Sequence, residues 1–462
     1  MVVPQWHAVS LRGTVTHCCE ELKRSKEGVN THPFACKFFE IGLFCRSDVL
    51  EVAAHEPNKR SPYVAVRLRE HQEGKAAGRG MGDMLACLRG WHPALARAEL
   101  EALLPQATFA ATASPRWWRV AGADVEARAD ALAVASGLQC FLKSGFIHAT
   151  ASGGVEPWLN IVSTYLNEHP VKGTVAVRAW KQGEKLHGWG PTTLAQQAGG
   201  VLHRLGYTIE LEHPDHVLAL ITDADTASLA CGWMEGDGQA AFSNGERRAG
   251  ERPFFKPVSL DPMLARLAVN LAAGPTSTGP VVDPMTGTGG FLIEASLSGR
   301  ACLGLDIHSE MVQGAHSNLA WAHGGTVPQQ SRVQRGDATR LRDALPEDWI
   351  GRVSGFVLDP PYGRNSHGTM NAEALLEGVL HSARGVAAEQ AGFVLILPIQ
   401  PLEPHPDSAV PLDHEMPLLH GTWQDVLAVI ARCGWSPQSA HVERVHRSLS
   451  RLILHARCAP QD

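Results

Sequence analysis

The sequence predicts an α/β protein: a doubly wound, mostly parallel sheet with an antiparallel edge hairpin, preceded by α+β segments. Three observations carry this. From about residue 261 onward, short apolar runs rich in Val, Ile and Leu alternate with helical stretches, the pattern of βαβ units. A Gly-rich turn, "DPMTGTGG", joins the first run to a helix. The last two runs, "AHVERVHR" and "SRLILHAR", are joined by a short turn and form the edge hairpin.

Residues 1–83 are the least legible part and form an N-terminal extension ending in the basic, Gly-rich "HQEGKAAGRGMGD". The natural domain is expected to begin at Met81 or Met84, which makes residues 1–80 dispensable for catalysis. From Met84, "MLACLRGWHPALARAELEALLP" reads as a strand and an amphipathic helix. "TVAVRAW" and "HVLALIT" read as strands flanking the helix "TTLAQQAGGVLHRLG", so residues 84–232 are α+β. A linker spans 233–260. Then Ser259-Leu260-Asp261-Pro262, with Leu264, Leu267, Ala268 and Leu271, marks a capped amphipathic helix. "PVVD" opens the sheet, and "RACLGLDI", "SRVQRGDATRL", "VSGFVLDPPY" and "AGFVLILP" supply the next four strands. "HSEMVQGAHSNLAWAH" and "GTWQDVLAVIARCGW" are helices.

Composition narrows the class. A chain of 462 residues with 44% hydrophobic and 19% charged residues suits a soluble protein of two to four domains. No apolar run approaches the ~20 residues of a membrane helix. The start, "MVVPQWHAVSLRG", lacks the ordered regions of a signal peptide, so a cytoplasmic protein is expected. The 10 cysteines include no C-x-x-C, and the 23 histidines show no metal-ligand spacing, so no metal is expected. A net charge of -6 means that any nucleic-acid face must be local.

Ligands of open α/β sheets bind at the C-terminal ends of the strands, and the unusual residues fall there. Asp283 ends the first strand, and Gly287, Gly289 and Gly290 let the backbone approach a ligand closely. Asp306 ends the second strand, where an acid suits the vicinal hydroxyls of a ribose. Asp337 ends the third and could receive an adenine amino group, although strand-end acids also serve as helix caps. Together they point to an adenosine-bearing cofactor. Asp359-Pro360-Pro361-Tyr362 ends the fourth strand, and its prolines impose a stiff, extended turn. An amine conjugated to a base ring is a poor nucleophile because its lone pair is delocalised. The Asp359 carboxylate and the Pro360 carbonyl can each accept one N–H from it and aim the lone pair at an electrophile. Tyr362 offers a ring on which the base can stack, worth about 1–3 kcal/mol.

"DPMTGTGGFLIEA", "GLD", "GDA" and "DPPYGR", in that order, resemble the class I S-adenosylmethionine-dependent amino-methyltransferases. More narrowly, "RPFFKPVSLDPMLARLAVNLA" and "RVHRSLSRLI" resemble the archaeal tRNA guanine-10 N2-methyltransferase family. The resemblance covers about residues 84–458. It implies a ferredoxin-like domain over 84–143, a THUMP RNA-binding domain over 144–232 and a Rossmann-like methyltransferase domain over 261–462. It also implies S-adenosyl-L-methionine as cofactor, held by Asp283, Gly287, Gly289, Asp306 and Asp337. Base positioning falls to Asp359, Pro360 and Tyr362. One departure is visible: the family's Pro-Phe-Cys-Gly turn reads Pro284-Met285-Thr286-Gly287 here.

THUMP domains are similar in gripping the tRNA acceptor end, which calls for basic groups. Arg178, Lys181 and Lys185 in "RAWKQGEKLHGWG", and Arg247, Arg248, Arg252 and Lys256 in the linker, are the candidates. The expected activity is methylation of the exocyclic N2 of a guanine in tRNA, at guanosine 10, by a monomer. The alternatives are a ribosomal RNA guanine-N2 or other amino-methyltransferase, or a non-catalytic RNA-binding protein.

Overall fold

The computed structural model describes residues 43–46, 49–52, 84–149, 156–183, 190–235, 247–256, 260–276, 278–360, 372–406 and 408–460. The chain divides into two compact units, Met1–Ser61 and Pro62–Asp462. Within the first, β1 (Leu43–Arg46) and β2 (Val49–Val52) form an antiparallel hairpin that the sequence did not disclose.

The second unit holds two sheets. The first has eight strands: β3 (Met84–Leu88), β4 (Thr108–Ala111), β5 (Trp117–Ala121), β6 (Leu138–Ala149), β7 (Thr174–Gln182), β8 (Thr208–Ile209), β9 (His216–Asp223) and β10 (Ser228–Glu235). Their order is β4-β5-β3-β6-β10-β9-β7-β8. Helices α1 (Pro93–Leu103) and α2 (Val125–Val134) bury Leu95, Leu100 and Val134 near its first half. Helices α3 (Glu156–Glu168) and α4 (Pro191–Arg204) cover the second half around Trp158, Leu194 and Trp233. Strand β6 belongs to both halves: β3 pairs with it up to Lys143, and β10 pairs with it from Phe141 to Ala149. The expected domain boundary at 143/144 therefore falls inside one continuous strand, where Ser144 adopts φ 48°. Side chains lock the halves further. Arg116 bridges Asp223 at 2.9 Å and Asp225 at 2.8 Å, and Ser114 also donates to Asp223.

The second sheet is the doubly wound one. Its strands are β11 (Val281–Asp283), β12 (Cys302–Asp306), β13 (Ser331–Arg335), β14 (Val353–Leu358), β15 (Ala387–Ile399), β16 (Trp435–His446) and β17 (Leu449–Cys458). The order is β13-β12-β11-β14-β15-β17-β16. The first five are parallel, whereas β17 lies antiparallel between β15 and β16, as the edge hairpin requires. On one face lie α5 (Pro262–Ala273), α6 (Gly290–Leu297) and α7 (Ser309–Ala322); α8 (Ala372–Arg384) and α9 (Trp423–Arg432) pack on the other core. Among the described residues, no helix is long and apolar enough to cross a membrane.

Helix α5 starts at Asp261, whose side chain accepts from Met263 N at 2.9 Å, with Pro262 pre-set for the first turn. It is buried nearly all round, because its second face meets α1. That contact is polar at its centre. Glu99 Oε1 accepts from Ser136 N at 2.9 Å and Asn270 Nδ2 at 2.8 Å, and Oε2 accepts from Gly137 N at 2.6 Å. Ser136 Oγ donates to Met263 O at 2.8 Å, and Asn270 also reaches Val134 O. The first module is thereby fastened to the methyltransferase-like sheet.

The chain leaves β11 toward β12 and β13 and then crosses back to β14. The winding reverses between β11 and β14, and a crevice opens outside their C-terminal ends.

Candidate active site

Asp283 ends β11 at this reversal and is almost wholly buried. Its Oδ1 accepts from Met285 N at 3.3 Å, and the Thr286 hydroxyl stands beside the carboxyl and holds back the rise in its pKa. The turn then leans on β12. Thr286 N donates to Leu305 O at 2.7 Å, and Gly287 N to Asp306 Oδ2 at 3.2 Å. Asp306 Oδ1 accepts from His308 N at 2.9 Å. Gly287 has φ 50°, and no atom lies within 4 Å of where a Cβ would stand. Gly289 has φ 79°, and a Cβ there would meet Ala315 at 3.1 Å. One glycine thus leaves room for a ligand, and the other lets the turn lie against α7.

Beyond Asp306 the crevice continues as a cleft lined by Ile307, His308, Ser309, Glu310, Met311 and Arg335. Asp337, one strand further, is exposed and caps a 3₁₀ turn by accepting from Thr339 N at 2.9 Å and Thr339 Oγ1 at 2.8 Å. It stands at the predicted place but also performs the capping role.

Asp359 follows β14 on the other side of the reversal, half-buried, with Pro360 buried after it. Burial pushes the Asp359 carboxyl up to about 6, and Arg451 on β17 opposes that shift. Burial pushes Asp283 up to about 8, helped by the like charges of Asp359 and Asp306. Three carboxyl groups thus share a crevice, an environment that favours a cationic ligand. The buried Asp283 carboxyl and the open space at Gly287 fit a ligand that is both cationic and hydrogen-bonding.

The linker frames this turn. Phe254 N donates to Asn318 Oδ1 at 2.8 Å, and Asn318 Nδ2 donates to both Phe254 O at 2.8 Å and Thr288 O at 2.9 Å. The Phe254 ring occupies the space left by the missing side chain of Gly314. Lys256 pairs with Glu310 at 2.7 Å, and Arg247 with the buried Glu294 at 2.9 Å.

A family model described as RMKL-like, methyltransferase domain, matches residues 249–401. A tRNA (guanine(10)-N2)-dimethyltransferase of Pyrococcus abyssi is 32% identical over 295 residues, 62% of this chain and 75% of that protein. The chain belongs to the tRNA (guanine(10)-N2)-dimethyltransferase family. The enzyme of that name from Methanothermobacter thermautotrophicus is 36% identical over 212 residues, 45% of this chain and 58% of that protein. TrmN from Thermus thermophilus is similar in structure, with TM-score 0.43 and 20% identity over 81% of this chain and 99% of that one.

For this dimethyltransferase-family chain, the methyltransferase match opens at 249, upstream of the boundary expected at 261. The grip of Arg247–Lys256 on α6 and α7 accounts for that. The structure brings Asp283, Gly287, Gly289, Asp306 and Asp359 to one crevice, with Asp337 at its far side. Tyr362 and Lys185 lie outside the described residues. The basic residues are scattered: Arg178 and Lys181 are three apart on β7, so they project from opposite faces of the strand. Arg248 is exposed, whereas Arg252 is only 4% exposed, so its expected RNA contact is not carried forward. Three residues escaped the sequence reading: Asn318, which ties linker to turn; Glu294, which anchors Arg247; and Arg451, which acts on Asp359. Arg451 stands within "RVHRSLSRLI", a motif whose position in the chain says nothing about which strand end it faces.

Proposed function

We propose that this chain transfers methyl groups from S-adenosyl-L-methionine to the exocyclic N2 amine of guanine 10 in tRNA. The observation that carries the reading is the placement of Asp283 and Asp359 at the ends of the two strands that flank the reversal of the sheet. The cofactor, when bound, supplies an electrophilic methyl group on a sulfonium. Asp283 and Asp306 face its cationic and ribose parts, and Gly287 leaves room for it. Asp359 and the Pro360 carbonyl accept the two N–H bonds of the target amine and direct its lone pair. A new N–C bond forms as the methyl–sulfur bond breaks, and Asp359 accepts the proton lost from nitrogen. Tyr362 is proposed to stack on the base once it is flipped out of the tRNA.

The relatives are named dimethyltransferases, so two rounds on the same nitrogen are expected. Residues 84–143 and 144–232 are read as the ferredoxin-like and THUMP domains, with Arg178, Lys181, Lys185 and Arg248 contributing affinity for RNA. The protein is read as a cytoplasmic monomer. Mass mapping of tRNA treated with purified protein and cofactor tests the activity. A guanine gaining first one and then two methyl groups is the expected result; no methylated guanine would overturn it.

A further inference from the structure

The last two strands outrun the sheet they close. Parallel pairing sets Leu358, the end of β14, level with Leu395 on β15, and Leu395 lies opposite Leu454 on β17. Beyond that level the hairpin continues from Leu454 through Arg451 to Leu449, about 16 Å at about 3.3 Å per residue. It does so on the edge of the sheet where Asp359 follows β14, two strands and about 10 Å to the side.

The tip of this hairpin is cationic. Arg444, Val445, His446, Arg447 and Ser448 are exposed in succession, and Val445 is the apolar member. Lower down, the charges are matched: Arg451 pairs with its cross-strand neighbour Glu443 at 3.1 Å. At the tip the match is looser. Arg444 meets Glu403 in an exposed pair, a weak kind, and Arg447 meets no acid among the described residues. His446 Nδ1 accepts from Ser448 N at 3.3 Å, which closes the turn and leaves the ring proton on Nε2 as a donor. Cations with so little apolar company suit a polyanion better than a protein, whose contacts need an apolar and aromatic centre.

We propose that the β16–β17 tip binds backbone phosphates of the substrate RNA beside the target base, through Arg444, His446 and Arg447. This rests on the reading of the chain as an RNA methyltransferase. It gives the exposed part of "RVHRSLSRLI" a task. The other cations expected to meet RNA, Arg178 and Lys181, stand on β7 in the eight-stranded sheet, so the tip adds a second grip next to the chemistry. Flipping a base turns its nucleotide about the backbone, and phosphates held alongside keep the rest of the strand from following.

The test compares two variants that each remove one exposed cation: Arg447→Ser at the tip, and Arg432→Ser at the end of α9, beside the start of β16. With unmodified tRNA over a range of salt, Arg447→Ser should weaken binding about three- to tenfold and lower the slope of log affinity on log salt by about 0.7–0.9. Arg432→Ser should change neither. Adding Arg444→Ser to Arg447→Ser should deepen both losses. Hydroxyl-radical footprinting locates the contact: protections flanking the methylated guanine should fade in the double variant, and those elsewhere on the tRNA should persist. Calorimetry with S-adenosyl-L-methionine should return the wild-type affinity. Protections lost elsewhere instead, or a fall in cofactor affinity, would overturn the inference. So would wild-type tRNA binding in the double variant, which leaves the tip to a protein partner. Wild-type protein that methylates no tRNA would remove the RNA reading and the inference with it; wild-type methylation with an unmoved footprint in the double variant removes the inference alone.

Discussion

Asp359 keeps its proton to about pH 6 because burial disfavours the carboxylate, with Arg451 pulling the other way. Only the ionised form can accept both an N–H and a proton. The methylation rate under single-turnover conditions should therefore rise with pH toward about 6 and level off above it. Arg451→Met removes the opposing charge, so the rise should move to higher pH; an unmoved profile would detach Arg451 from the site. Asp359→Ala should cost on the order of 10²–10³ in rate while cofactor affinity changes little, by analogy with loss of one preorganised partner of a reacting group. Asn, which keeps an acceptor oxygen, should fall between. Wild-type rates in Asp359→Ala would sink the mechanism. At this scale the sequence was informative for acids at strand ends, because chain order alone carries Asp283, Asp306 and Asp359 to one edge. It placed Arg252 among the RNA contacts, where the structure buries it, and was silent on Arg451, which acts on Asp359 from β17, two strands from β14 in the sheet. A basic run in a linker looks the same whether its cations face water or a helix.

Among the elements, the parallel strands and their helices were readable because hydrophobic period and Gly-rich punctuation agree. Helix α8 was not among the expected elements, although Leu376, Val379, Leu380 and Ala383 follow helical spacing. The boundary that the resemblance implied at 143/144 falls inside β6, where the sheet absorbs Ser144 and Gly145 as an irregularity in the pairing with β10. The contact between Phe254 and α7 makes a sharper claim. Gly314→Val would place a branched side chain where the Phe254 ring sits, so the ring must leave or the helix must shift. A loss of about 1–3 kcal/mol in urea unfolding is expected, together with weaker cofactor binding, because Asn318 ties the same linker to Thr288. A stable variant with unchanged cofactor affinity would show that the linker does not support the turn.

Across the whole molecule, the joint between modules depends on one buried acid. Burial raises the pKa of Glu99 against the pull of its hydrogen bonds to Ser136, Gly137 and Asn270. Glu99→Ala leaves the N–H groups of Ser136 and Gly137 unpaired, and at about 1–3 kcal/mol for each buried unsatisfied group a loss of about 3 kcal/mol is expected. Unfolding followed by tryptophan fluorescence and by circular dichroism should then cease to coincide, as the eight-stranded sheet and the seven-stranded sheet part company. A single coincident transition at wild-type stability would mean that the apolar face of α5 suffices. Composition hinted at several domains, but nothing in it said that they share a strand or a buried carboxylate. The unbroken β6 has a bearing on how a nucleotide is chosen. β6 runs unbroken through both halves of its sheet, so on the proposed reading, in which RNA is gripped on the far half, the RNA would meet the Asp359 turn at one set reach, as work held in a vice meets a fixed blade. Position along the RNA is then gauged by length. Inserting a base pair between the gripped end and the target should move the methyl group to a neighbouring guanine, where one is present, rather than abolish transfer.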